Sequence, residues 1–117
     1  MPLYNGDQSK SYLSQLVTLA KNGFNAFSYQ QLTVAGTVVN PTIPAETKYA
    51  MITLESDVTS GIAIRFLETG QTVVASGTGM PLENGGTIDV VGAQNLSQFQ
   101  AIQEGAGTHK LNITYYK

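Results

Sequence analysis

The chain of 117 residues contains no cysteine and few charged residues. Without cysteine it can form no disulfide, thiolate nucleophile or cysteine-ligated metal site, so its stability must come from packing or from partner chains. Asp, Glu, Lys and Arg make up 12% of the sequence, about half the share that is usual in soluble domains. The net charge is −2 and the basic residues are scattered singly, which predicts that the protein does not bind nucleic acid.

The sequence also lacks long apolar runs. The longest are far shorter than the roughly 20 residues that cross a bilayer, so we expect no membrane partner. The N-terminus lacks the basic-then-apolar order of a signal peptide, and we therefore expect a chain that is made and kept soluble in a cytoplasm.

What the sequence does have is 42% apolar residues, enough for one core, and an abundance of neutral polar residues. Neutral polar groups cost less to desolvate than ions, so such a surface favours contacts with neighbouring molecules. A single core of this size has limited stability alone, which predicts a homo-oligomer, either a trimer or a ring of higher order.

Residues 1–28 are predicted to form an N-terminal arm. An amphipathic helix is expected at about residues 9–21, since apolar side chains recur there at helical spacing. More of this helix is apolar than a small sandwich needs, so it either lies across one end of its own domain or docks on a neighbouring subunit. Aromatic rings in the short link that follows could anchor the arm. The predicted interface consists of apolar residues of this arm together with Tyr116 near the C-terminus. These residues are Tyr12, Leu13, Leu16, Val17, Leu19, Ala20, Phe24, Phe27 and Tyr116.

Residues 29–117 are predicted to form a β-sandwich domain. At its centre, two runs of alternating apolar and polar side chains, about residues 48–55 and 61–68, are separated by a turn-rich link. We expect these two strands to pair as an antiparallel hairpin.

Further short strands are expected on both sides of this centre, with tight turns such as Asn84-Gly85-Gly86 between them. They are residues 32–39, interrupted by Gly36, then 73–75, 87–91, 96–104 and 109–116. No second helix is expected. Seven or eight strands with turns about every 8 to 12 residues predict a mainly β protein, an antiparallel β-sandwich or small jelly roll with one N-terminal α-helix.

No pattern in the sequence predicts a reaction. His109 is the one histidine, has no second strong ligand nearby, and is predicted to be a solvated residue at the start of a strand. Glu55 and Asp57 could offer oxygens to calcium but are too few, and the glycine-rich segment at 76–79 lacks the lysine and helix of a phosphate loop. We expect no enzyme activity, no cofactor and no metal.

The six tyrosines leave a binding alternative open. Aromatic rings on the face of a β-sandwich can stack on sugars, and Tyr115 with Tyr116 is the most suggestive pair. Adjacent strand residues point to opposite faces, so only one of the two can lie on any one platform. We expect one ring in the core and the other at a rim or a subunit interface.

From Leu32 onward, a series of motifs occurs in order: LTVAGTVV before a proline-bounded break, AMITLE, IAIRFLETG, MPLENGGTIDVVG, LSQFQAI and a closing LNITYY. In this order they resemble the small β-sandwich proteins of tailed-bacteriophage virions. The resemblance covers roughly the last 85 residues and none of the N-terminal arm. It implies a non-enzymatic virion protein, a capsid decoration or cement protein, a head-fibre base, or a component of the neck or tail.

The partners implied by this resemblance are further copies of the chain and the major capsid protein or another virion protein. The alternative function is a carbohydrate-binding or host-attachment module on a head fibre or tail. Its partner would be a host-surface glycan.

Overall fold

The computed structural model describes residues 23–73 and 77–117. The predicted N-terminal helix at residues 9–21 and the arm before it lie outside these residues. So do residues 74 and 75 of the predicted edge strand at 73–75. Val73 is described; it is buried and belongs to no strand. The described elements are β1 (Ala26–Val34), β2 (Tyr49–Ser56), β3 (Ile62–Leu67), β4 (Met80–Glu83), β5 (Thr87–Val91), α1 (Ala93–Gln98), β6 (Gln100–Gln103) and β7 (His109–Tyr116).

The strands form two antiparallel sheets that pack as a sandwich. The larger sheet has the order β1-β7-β2-β5 and the smaller has the order β4-β3-β6. Their apolar inner faces meet in one core, which confirms the prediction of a mainly β, sandwich-like protein. The fully buried large side chains include Ile52, Leu54, Ile64, Phe99, Leu111, Ile113 and Tyr115.

Period-two alternation explains why the strands lie where they do. In β7, every second side chain from His109 to Tyr115 is buried and the residues between them are half-buried. This pattern suits a strand with one face on the core, and the predicted strands at 109–116 and 87–91 are both confirmed with their bounds.

The predicted hairpin between the two central strands is wrong. β2 pairs with β7 and β5, whereas β3 pairs with β4 and β6 in the other sheet. The link at residues 57–61 therefore crosses the sandwich instead of turning back. The alternation of apolar and polar residues identifies the buried face of each strand. It does not determine whether two successive strands belong to the same sheet, because strands in either sheet of a sandwich bury one face in the same core.

Residues 93–98 form a short helix that the sequence did not predict. The expectation of no second helix and of an extended segment over 96–104 is wrong here, and only residues 100–103 form a strand. Leu96 on the helix and Phe99 after it are both buried. A helix of six residues is too short to display the helical repeat from which amphipathic helices are recognised.

β1 also differs from the prediction at both ends. It begins at Ala26, so the aromatic link is shorter than expected, and it ends at Val34 before Gly36. Residues 37–39 do not continue it. Val39 instead forms an isolated antiparallel bridge with Ala101, in which each backbone N–H donates to the other residue's carbonyl at 2.9 and 3.0 Å.

The strand pairs are nested along the chain. The outermost pair in the sequence is β1 with β7. Between these two strands in the chain, Val39 bridges to β6, then β2 pairs with β5, and finally β3 pairs with β4. The predicted turn at Asn84-Gly85-Gly86 is confirmed, and it carries the chain from β4 in one sheet to β5 in the other. Gly85 has a φ of 83°, and a methyl group on Gly86 would lie 2.4 Å from Leu82 Cδ1. Both positions therefore favour glycine.

Truncation of a core side chain on β7 should strongly destabilise the protein. Ile113 is fully buried, and Ile113→Ala should lower the free energy of unfolding by about 2 to 5 kcal/mol through lost burial and a cavity. Thr114→Ala changes the neighbouring residue on the opposite face and should cost less than about 1 kcal/mol. Urea denaturation followed by circular dichroism measures both. Equal losses would contradict the assigned inner and outer faces of β7.

Candidate functional site

The outward surface of the four-stranded sheet, here called the outer face, brings together most of the side chains with binding chemistry. Strand register places its residues in rows that run across β1, β7, β2 and β5. Two rows at one end are largely aromatic or apolar, and two rows at the other end are polar. The rows are Tyr116, Tyr49 and Val91; Tyr29, Thr114, Met51 and Asp89; Gln31, Asn112, Thr53 and Thr87; and Thr33, Lys110 and Glu55.

Two of the predicted interface residues lie in an aromatic cluster at the first row. Phe24 stacks on Tyr49 with 5.8 Å between ring centroids, and Tyr116 lies against the same ring at 4.9 Å. Tyr49 is therefore only 3% exposed although it points away from the core. Next to this cluster, Phe27 packs against the core and lies under Lys117, whose Nζ is 4.9 Å from the ring centroid.

The N-terminal segment joins the domain at this same end. Asn25 and Lys117 exchange two backbone hydrogen bonds of 2.9 and 3.0 Å, which fixes the chain beside Tyr116. The other predicted interface residues, Tyr12, Leu13, Leu16, Val17, Leu19 and Ala20, lie outside the described residues.

The two C-terminal tyrosines point to opposite faces, as predicted. Tyr115 is buried in the core, where its hydroxyl donates to Gln30 Oε1 at 2.7 Å, and burial raises the pKa of Tyr115 to about 12. Tyr116 is half-buried on the outer face. The hydroxyl of Tyr49 donates to the Asp89 carboxylate, and burial together with that carboxylate raises the pKa of Tyr49 well above its usual range.

Both sheets expose apolar side chains, and three of these lie on the outer face. Among the described residues five large apolar side chains are exposed, and Tyr29, Met51 and Val91 on this face are three of them. Ile62 and Met80 are on the smaller sheet. Clustered exposed apolar groups are typical of surfaces that contact another molecule.

A hydrogen-bonded polar network centred on Asn112 spans three strands of the outer face. Asn112 Oδ1 accepts from the Tyr29 hydroxyl at 2.6 Å and from Gln31 Nε2 at 3.1 Å, and Asn112 Nδ2 donates to Glu55 Oε1 at 2.5 Å. Sequence reasoning missed this network. Its members are up to 83 residues apart in the chain, and only the register of β1, β7 and β2 brings them together.

The prediction of a solvated His109 is wrong, because the side chain is fully buried. Its Nε2 lies 3.0 Å from the Gly105 carbonyl oxygen, and its Nδ1 lies 2.8 Å from Ser56 Oγ. Since a carbonyl can only accept, Nε2 carries a proton, and a neutral ring then accepts from the Ser56 hydroxyl at Nδ1. Gly107 permits this close packing, since a methyl group there would lie 3.0 Å from His109 Cε1.

Ser56 and His109 have the contact expected of a nucleophile and its base, but the geometry fits a structural role better. Ser56 Oγ already accepts the Val58 N–H at 3.0 Å, which stabilises the turn after β2. His109 is enclosed, so it cannot reach the leaving group of a substrate. The pair connects the end of β2 to the start of β7.

The two carboxylates considered for calcium have separate partners. Glu55 contacts Asn112, whereas Asp57 Oδ1 accepts the Thr108 N–H at 3.0 Å, although both border one depression of about 260 Å³. Among the described residues, no group of three or more potential metal ligands is found. No helix in this part of the chain is long and apolar enough to cross a membrane.

Comparison with known proteins adds no relative. No family model, no curated protein and no solved structure matches this chain.

Loss of the Ser56 hydroxyl should destabilise the fold. Ser56→Ala leaves buried His109 Nδ1 and the Val58 N–H without their partner, and it should lower the free energy of unfolding by about 1 to 3 kcal/mol. Ser60→Ala, at an exposed position in the same link, should change it by less than about 0.5 kcal/mol. Thermal denaturation measures both variants. Wild-type stability for Ser56→Ala would contradict the structural role.

The buried tyrosines should make the protein sensitive to alkali. Tyr49 and Tyr115 have raised pKa values in the fold, so above the ordinary tyrosine pKa of about 10 the unfolded chain ionises while the native state does not. The contribution of these two tyrosines to stability should be constant below about pH 9 and fall as pH rises from about 10 through 12. Tyr115→Phe should make this fall shallower. Urea titrations at a series of alkaline pH values measure it, and an identical pH dependence in the variant would contradict the assignment.

Proposed function

We propose that this protein is a non-enzymatic structural component of a tailed-phage virion. The most specific form of the proposal is a capsid decoration or cement protein that binds the particle surface as a homo-oligomer, a trimer or a ring of higher order. The resemblance of its strand and turn motifs to phage virion proteins supports it. So do the strand order, the distribution of exposed apolar groups and the low charge.

The nested strand pairing carries the proposal. If the bridge at Val39 is a shortened second strand, residues 23–73 and 77–117 contain eight strands that pair first with eighth, second with seventh, third with sixth and fourth with fifth. We infer that the sandwich is a small jelly roll, since a jelly roll consists of eight strands wound in two Greek keys. This architecture recurs in viral capsid domains and in lectins.

The apolar part of the outer face is the proposed contact surface. Met51 and Val91 occupy neighbouring rows on β2 and β5, next to the covered Tyr49 ring. Burying one such side chain stabilises an assembly by about 1.5 to 3 kcal/mol, so a few of them can hold a subunit in place without ion pairs. Attachment of this kind should depend little on salt.

The N-terminal segment is the proposed second contact. Its apolar stripe at Leu13, Leu16 and Val17 exceeds what one small sandwich needs, and we assign it to a neighbouring subunit or to the particle. Phe24 supports this assignment, because its ring stacks on Tyr49 and places residue 24, which follows the segment, at the outer face.

Charge placed on the contact surface should abolish attachment to the virion. Virions of the phage that encodes this chain should contain it, after removal of free protein, in a copy number set by the particle's symmetry. Met51→Glu should lower that occupancy at least tenfold, because burying an unpaired carboxylate in an interface costs several kcal/mol. Quantitative mass spectrometry of purified particles measures the occupancy.

Ile62→Glu is the matched control, since Ile62 is about as exposed as Met51, at 37% against 36%, but belongs to the smaller sheet. Its occupancy should equal that of the wild type. Each new carboxylate faces an acidic residue across its strand pair, Asp89 for Met51 and Glu83 for Ile62, so both variants should lose a similar small amount of stability and remain folded in urea titrations. Absence of the chain from purified virions would overturn the proposed function. Equal loss in both variants would overturn the choice of the outer face.

A further inference from the structure

The β1 side of the outer face has the features of a small binding site that the proposed assembly role does not require. Tyr29 and Gln31 lie on the edge strand β1, on the opposite side of the sheet from Val91 on β5. The ring of Tyr29 is 60% exposed, the largest exposure among the large apolar side chains in the described residues. A neighbour that contacts Met51 and Val91 can leave this edge open.

The Tyr29 ring is held in place although it is exposed. Its hydroxyl donates to Asn112 Oδ1 at 2.6 Å, and the same oxygen accepts from Gln31 Nε2. Because Asn112 Nδ2 also donates to Glu55, the orientation of the amide is fixed on both sides. A ring that is already ordered loses little conformational entropy when a ligand stacks on it.

The network also retains hydrogen-bonding capacity that the described residues do not use. Asn112 Nδ2 and Gln31 Nε2 each have a second N–H, and Glu55 has a second carboxylate oxygen; none of these makes a hydrogen bond within residues 23–73 and 77–117. Thr53 and Thr87, whose hydroxyl oxygens are 3.2 Å apart, extend the polar row across the sheet. Donors and acceptors therefore alternate beside one apolar ring.

We propose that the surface formed by Tyr29, Gln31, Asn112 and Glu55 binds a neutral glycan. A pyranose has an apolar face of C–H groups, which suits the Tyr29 ring, and hydroxyls that both donate and accept, which suit the mixed polar row. Residues i and i+2 of a strand are about 6.6 Å apart, so a sugar resting on Tyr29 reaches Gln31 and Asn112 with its hydroxyls.

The charge of the site favours a neutral ligand. Glu55 is paired in register with Lys110, so the two charges offset each other, and the row from Gln31 to Thr87 contains no charged side chain that would select an ionic ligand. A flat surface covers only one side of a sugar, so a single site binds weakly, with a Kd in the millimolar range. Several copies on one assembly would raise the avidity through effective concentration.

The test is an NMR titration of the full-length, ¹⁵N-labelled protein. The probes are four neutral oligosaccharides, namely α-1,4-glucose, β-1,4-glucose, β-1,4-mannose and β-1,4-N-acetylglucosamine hexamers. At least one should give saturable shifts at the backbone amides of Tyr29, Gln31 and Asn112. Tyr29→Ala should raise the Kd for that hexamer at least tenfold and Gln31→Ala several-fold.

Met80→Ala is the matched control, since Met80 is an exposed apolar side chain on the smaller sheet, and its Kd should stay within about twofold of the wild type. Tyr29→Phe keeps the stacking ring but loses the bond to Asn112, so its Kd should fall between those of the wild type and Tyr29→Ala. Wild-type amide spectra away from the site show that each variant is folded. No saturable shift with any hexamer up to about 20 mM, shifts that map to other residues, or an unchanged Kd for Tyr29→Ala would each overturn the proposal.

Discussion

The four-stranded sheet depends on β7, which pairs with β1 on one side and with β2 on the other along its length. Its buried residues, among them Leu111, Ile113 and Tyr115, hold the register, because a slip of one residue would move all of them to solvent. The same register aligns Asn112 with Gln31 and Thr53 on the outer face. Core packing on one face of β7 thus determines the arrangement of possible binding groups on the other.

The outer face carries few charged residues at its centre. Asp89, Lys110 and Glu55 lie on it, whereas the rest is an aromatic cluster around Tyr49, exposed Met51 and Val91, and amide and hydroxyl groups hydrogen-bonded around Asn112. The uncharged groups are cheap to desolvate compared with ions, which suits a surface that contacts another molecule. The division into an apolar side at β5 and a polar side at β1 allows the two proposed contacts to coexist.

Local sequence patterns predicted those features that depend on neighbours in the chain. The strands at 87–91 and 109–116, and the turn at Asn84-Gly85-Gly86, follow from alternation and from glycine preference. The pairing partners of β2 and β3 could not be predicted in this way, because alternation does not determine to which of the two sheets a strand belongs. His109 and Asn112 were missed for a related reason, since Ser56 is 53 residues from His109 and Tyr29 is 83 residues from Asn112, and strand pairing alone brings these partners together.

The central claim is that the outer face is covered by a neighbour in the assembled virion, and the absence of cysteine permits a direct measurement. Val91→Cys and Ile62→Cys each introduce one thiol, at 57% and 37% exposed positions on opposite sheets. Maleimide labelling should modify both variants as free protein. On purified virions, labelling at position 91 should fall at least tenfold while that at position 62 stays unchanged. Full labelling of position 91 on the virion would contradict the account.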